Sequence, residues 1–142
     1  MVFVSPQLPF FVYGTLRPGE VNHDLFLRGR TRSEEPGRLT GCVLYDGPGY
    51  PWAVEEPDGL VFGDLVTALP ERYEELLVAL DRLEDYTPGD PDNLYERVER
   101  EVTRESDGSP VRAWVYVAAA PVAARLRTHG RPIGSGDWLV RR

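Results

Sequence analysis

The sequence contains no lysine, and all 16 of its basic residues are arginines. That excludes Schiff-base chemistry and lysine nucleophiles. It also removes the lysine of a Walker loop, so the stretch YGTLRPG cannot be a P-loop of the usual kind. Arginine stays protonated, so it can clamp anions but is a poor base. The single cysteine, Cys42, allows neither an intrachain disulfide nor a thiolate cluster. It lies in an apolar stretch and reads as core. The two histidines, His23 and His129, have no second ligand at metal spacing, so no metal site is expected. Neither is an evident partner for Thr15 in a nucleophilic triad. No run approaches the ~18 apolar residues of a membrane-spanning helix. The opening MVFVSPQLP lacks the basic region of a leader, so a cytoplasmic protein without a membrane partner is expected. With 23 acidic residues the net charge is −7, which leaves no basic footprint for nucleic acid. The GSG at 134–136 lacks the strand–helix context of a dinucleotide loop, and no cofactor is expected.

What is present fits one ordinary domain, residues 1–142, with 42% apolar and 27% charged residues. Strands are expected at 10–13 (FFVY), around 39–45, at 50–56, at 60–69 with a bulge at Gly63, at 94–105 and at 111–120. Asp107-Gly108 marks a hairpin between the last two. A short helix or turn is expected at 22–29, with Asn22 as its cap, and a final short helix at 121–130. The clearest helix is PERYEELLVALDRLEDY, residues 70–86, with Pro70 at its first position. Many short strands with one good helix imply an α+β fold, with a curled or closed antiparallel sheet. The role of residues 1–9 and the oligomeric state are not legible.

The long helix carries one acid out of place. At about 100° per residue, Tyr73, Leu76, Leu77, Leu80 and Leu83 form a single apolar stripe. Glu74, Glu75, Arg82 and Asp85 fall outside it. Glu84 points about 20° from Tyr73, inside the stripe. A carboxylate so placed is costly unless paired or protonated, and desolvation raises its pKa toward the range useful for acid–base work. Three arrangements remain open: Glu84 faces the interior, or the helix ends near Leu83 and Glu84 turns to solvent, or Glu84 pairs with an arginine such as Arg97.

A second candidate lies at the end of the first strand, in FVYGTLRPGEVNH (11–23). Gly14 permits backbone shapes closed to other residues and close approach to the main chain. Amides around Thr15 and Leu16 could form a concave donor site for a carboxylate or oxyanion, and Arg17 could add charge. The plain alternative is two successive turns, at Gly14 and at Pro18-Gly19. Trp52, Trp114 and Trp138 read as packing residues, with Trp138 also placed to line a pocket.

These stretches together resemble the gamma-glutamylcyclotransferase-like superfamily, which includes gamma-glutamylamine cyclotransferase and the plant avirulence-induced-gene-like proteins. The elements FVYGTLRPGEVNH, GYPWAVEE, LDRLEDY, LYERVEREV, AWVYV and PIGSGDW occur in that family's order, from Phe11 to Trp138. The resemblance implies a small mixed β-barrel with a few short helices. It implies substrate binding by Tyr13, Gly14, Thr15 and Leu16, with Arg17 beside them, and an acid/base at Glu84. The implied partner is a small gamma-glutamyl compound, cyclised to 5-oxoproline without a cofactor or metal. A non-catalytic binder of small carboxylates is the main rival. A deacylase removing a gamma-glutamyl protecting group uses the same ring closure. The stretch DYTPGDPDNL (85–94) is longer than in the compact gamma-glutamylamine form. It is placed to border the pocket, and it leaves the role of Tyr95 open.

Overall fold

A computed structural model describes residues 7–140. Residues 1–6, most of the N-terminal stretch with no assigned role and no leader pattern, lie outside the described residues. Five strands close into a barrel: β1 (Phe10–Val12), β2 (Thr31–Tyr45), β3 (Trp52–Ala68), β4 (Tyr95–Arg104) and β5 (Pro110–Ala118), in the order β1-β3-β2-β4-β5. All pairings are antiparallel except the closing one, where β1 meets β5 in parallel at Phe10↔Trp114. Three short helices accompany the barrel: α1 (His23–Phe26), α2 (Tyr73–Leu83) and α3 (Ala120–His129). Among the described residues no helix is long and apolar enough to cross a membrane.

The alternation of side chains along the strands divides the core in two. Phe11, Leu39, Val61, Leu65, Val102 and Val115, drawn from all five strands, pack with Cys42 inside the barrel. Phe10, Val12, Val66, Tyr95 and Tyr116 point the other way, toward Tyr73, Leu76 and Leu80 of α2. β1 is therefore buried on both faces, which is why FFV is uniformly apolar rather than alternating. Burial also holds the Cys42 thiol up at about 12, so it stays a protonated core residue.

The long helix begins with a 3-10 turn at Pro70–Arg72 and ends at Leu83, shorter than the predicted 70–86. The predicted strands at 50–56 and 60–69 are one continuous strand, β3, with Pro57 inside it. The pairing irregularities fall not at Gly63 but between Thr31 and Ser33 and between Thr40 and Cys42 of β2, the second opposite the Glu56–Gly59 stretch of β3. Gly41 there has φ +83. Gly63 is paired in register with Gly37, and its requirement is space: a Cβ would sit 2.3 Å from the Val12 carbonyl oxygen. The Asp107-Gly108 hairpin forms as predicted, with Gly108 at φ +72 and the Asp107 carboxylate accepting from the Ser109 amide at 2.9 Å.

Candidate active site

The loop after β1, the start of β3, the end of α2 and the start of β4 converge on a cavity of about 440 Å³. Tyr13, Gly14, Thr15, Leu16 and Glu84, predicted from distant parts of the sequence, all line it.

Glu84 caps the C-terminus of α2. Its amide still donates to the Leu80 carbonyl at 3.0 Å, so its side chain continues the helical course one position beyond the last helical residue. The next residue, Asp85, takes φ 53 and turns the chain outward. The helix therefore does end at Leu83, yet Glu84 does not turn to bulk solvent. Arg97, the other expected partner, is engaged elsewhere, donating to Asp81 at 2.9 Å beneath the rings of Tyr86 and Trp114. Among the described residues no hydrogen bond or ion pair engages the Glu84 carboxyl. Burial alone pushes it from 4.5 up to about 7, where a carboxyl can both take and return a proton near neutrality. Asp85 also lines the cavity but is exposed, so register selects the first of the two acids.

Opposite lies the turn 14–17, closed by the Arg17 amide donating to the Gly14 carbonyl at 3.0 Å. None of the hydrogen bonds among the described residues uses the amides of Thr15 or Leu16. Both therefore remain available as donors. Gly14 does not have positive φ; it is required because a Cβ would lie 2.7 Å from the Pro51 ring. Asn22 makes no side-chain cap on α1. Instead its amide group donates to the Thr15 hydroxyl oxygen at 2.9 Å, bracing the turn.

Arg17 does not line the cavity. Its guanidinium turns away to Asp64 (2.8 Å) and Asp137 (2.7 Å), tying the turn to β3 and to the C-terminal segment. Trp138 is likewise absent from the cavity; it is buried in the barrel interior, with its ring N–H on Glu20 at 3.1 Å. His23 is held by Glu34 at 2.6 Å. Among the described residues no cluster of three or more His, Cys, Asp or Glu is placed to hold a metal ion.

Sequence reasoning left Tyr95 open and missed Tyr116, and both line the cavity. Trp52 stacks on Tyr95 at 4.3 Å, and the Tyr95 hydroxyl donates to the Pro51 carbonyl at 3.1 Å. Tyr116 donates to Asp81 at 2.6 Å, and Tyr13 donates to the Tyr116 carbonyl at 2.5 Å. Burial keeps all three phenols well above their usual range and therefore protonated, reinforced in Tyr116 by its hydrogen bond to Asp81 and in Tyr13 and Tyr95 by neighbouring charge that includes Glu84. The loop 87–93 is latched by the buried Asn93, which accepts from the Thr87 amide (3.1 Å) and donates to the Thr87 carbonyl (2.7 Å). That latch sets the exposed Leu94 at the cavity mouth.

Residues 10–140 match the family described as gamma-glutamyl cyclotransferase, AIG2-like. The chain belongs to that family. Among relatives, the gamma-L-glutamyl-butirosin B gamma-glutamyl cyclotransferase of Niallia circulans is 40% identical over 75% of this chain, and the match spans 64% of that protein's length. A protein of Halalkalibacterium halodurans, provisionally named a gamma-glutamylcyclotransferase, is 41% identical over 68% of this chain and 77% of its own. In three dimensions the crystal structure of an AIG2-like protein from Mus musculus matches with a TM-score of 0.64 at 25% identity, covering 79% of this chain and 77% of that one. The barrel with short helices is thus the gamma-glutamyl cyclotransferase fold.

Proposed function

We propose that this gamma-glutamyl cyclotransferase family member cleaves a gamma-glutamyl amide by attack of the substrate's own α-amine, releasing 5-oxoproline and an amine. The observation that carries the reading is a carboxyl held near neutrality, Glu84, facing a turn with unused amides across one cavity. Glu84 as carboxylate takes a proton from the α-ammonium. The freed amine attacks the γ-carbonyl carbon and closes a five-membered ring. The bond to the departing nitrogen then breaks as Glu84 returns its proton there, and the ring nitrogen gives up its second proton to the released amine by way of the same carboxylate. Over the whole reaction two protons pass from the attacking nitrogen to the departing one. The Thr15 and Leu16 amides hold the α-carboxylate or the developing oxyanion. The nucleophile is part of the substrate, so correct folding of the bound chain supplies most of the advantage and no cofactor is required by the chemistry.

The test is release of 5-oxoproline across a panel of gamma-glutamyl amines and dipeptides. We expect turnover with at least one class and loss of it in Glu84→Gln. Full activity in that variant would overturn the acid/base assignment. A gamma-glutamyl-protected biosynthetic intermediate is a second reading, favoured by the name of the Niallia relative. It differs only in the departing amine and belongs in the same panel. A non-catalytic carboxylate binder has no need of a proton carrier near neutrality at the cavity wall.

A further inference from the structure

The tyrosines around Glu84 define a direction of hydrogen bonding. A hydroxyl has one proton to give and lone pairs to receive. The Tyr95 hydroxyl faces the Pro51 carbonyl at 3.1 Å, and a carbonyl can only accept, so Tyr95 gives its proton there. The Tyr116 hydroxyl faces Asp81 at 2.6 Å. Asp81 is ion-paired with Arg97 at 2.9 Å and so is an acceptor too, and the Tyr116 proton is likewise committed. Tyr13 gives its proton to the Tyr116 carbonyl at 2.5 Å, which turns its hydroxyl to the β5 backbone. Tyr95 and Tyr116 therefore have no proton to offer a ligand. Both residues line the cavity, so all that their hydroxyls can offer a ligand there is lone pairs.

Buried tyrosines in a site that handles a carboxylate and an oxyanion are ordinarily read as donors. Here that role is closed, because each proton already has a protein acceptor. With Glu84 alongside, one wall of the cavity is composed of acceptors. The facing turn offers donors, the Thr15 and Leu16 amides. Among the described residues no cationic side chain lines the cavity, so nothing there competes for the acceptor wall. A group matching three acceptors and rejecting none of them is an ammonium, with three N–H bonds to give.

We propose that the hydroxyl oxygens of Tyr95 and Tyr116, together with Glu84, form the receptor for the substrate's α-ammonium, both tyrosines acting as acceptors. This rests on the gamma-glutamyl reading above and deepens it. When Glu84 removes one proton, the freed lone pair faces Glu84; the tyrosine oxygens hold the nitrogen in place while the amine turns about its Cα–N bond and aims that lone pair at the γ-carbonyl carbon. The Asp81–Arg97 pair acts at one remove. Asp81 takes the Tyr116 proton and thereby fixes which side of that hydroxyl faces the substrate.

The test pairs a ligand change with a residue change. In the non-turnover Glu84→Gln background, calorimetric Kd values are measured for a gamma-glutamyl amide and for the matching glutaryl amide, which lacks only the α-amine. Tyr95→Phe and Tyr116→Phe are each expected to weaken the gamma-glutamyl amide about tenfold, as for a lost hydrogen bond to a charged group, and to leave the glutaryl amide within about twofold. Tyr13→Phe should affect the two ligands alike. Equal loss for both ligands, or no loss for either, overturns the acceptor assignment, and a merely structural role predicts equal loss. Tyr95→Phe answers the question even if Tyr116→Phe perturbs the Asp81–Arg97 pair. If the wild-type protein neither binds nor turns over any gamma-glutamyl amide, the functional reading fails and the proposal with it. If turnover is present and the ligand difference is absent, only the proposal fails.

Discussion

Replacing Glu84 by glutamine keeps size and hydrogen-bonding capacity while removing one titration, which gives a stability signature independent of any substrate. In the unfolded chain this carboxyl ionises at its ordinary 4.5; in the folded protein burial moves it to about 7. Below the lower value both states hold the proton and Glu84 has no pH-dependent effect. Between the two values the folded state retains a proton that the unfolded state has released, so stability falls as pH rises. Above the folded value the half-buried carboxylate is ionised and the full cost is present, about 3 kcal/mol. Glutamine pays none of it. The stability of Glu84→Gln relative to wild type should therefore rise by about 2.5 kcal/mol between roughly pH 5 and pH 8.5. Other groups titrate in both proteins and cancel in the difference. Urea unfolding of the pair at the two pH values measures it. Parallel pH dependences would mean that Glu84 is solvated in the folded protein, and the case for a neutral-range proton carrier would fall.

The same ionisation predicts that kcat/KM for 5-oxoproline release rises with pH through an acid limb of unit slope centred near 7, since the carboxylate is the competent form; a midpoint near 4.5 would refute it. Gly14→Ala places a Cβ 2.7 Å from the Pro51 ring and must shift the donor turn, so kcat/KM should fall about 100-fold, more than any loss of stability explains. Arg17→Ala leaves the buried Asp64 unpaired and should cost about 3 kcal/mol in urea unfolding; a loss under about 1 kcal/mol would make the pair a surface one. Asp85→Gly relieves a non-glycine φ of 53 and removes a negative charge from a helix C-terminus, so thermal unfolding should show a gain of about 1 kcal/mol.

Glu84 was legible because a helix imposes a fixed angle per residue, and that angle persisted one position past the helix through the bond to Leu80. The strand-end turn was legible for its amides, but the reason for Gly14 was not. The pattern suggested an unusual backbone, whereas the constraint is the Pro51 ring, remote in sequence. Arg17 beside a turn looked like an anion clamp; its partners Asp64 and Asp137 become visible only when β3 and the C-terminal segment fold over it. Tyr116 carried no signal, since an aromatic in a β-strand reads as core and only its hydroxyl's partner shows otherwise. The two strands read from 50–69 were separated by Pro57 and Gly59, which β3 absorbs in an irregular stretch.

The shortest strand has the widest reach. β1 contributes three residues, yet it lies between β3 and β5 and makes the barrel a closed ring. The donor turn hangs directly from its end. Opening that turn by more than a small fluctuation pulls on Phe10–Val12, and releasing those residues unzips the ring and uncovers both cores at once. Local motion in the site is thereby tied to the energy of global unfolding, unlike the surface loops, which can open alone. The geometry of the turn is kept by the same closure that keeps the protein folded, so variation that loosens the seam between β1 and β5 is expected to disturb the proposed site before it disturbs the rest of the barrel.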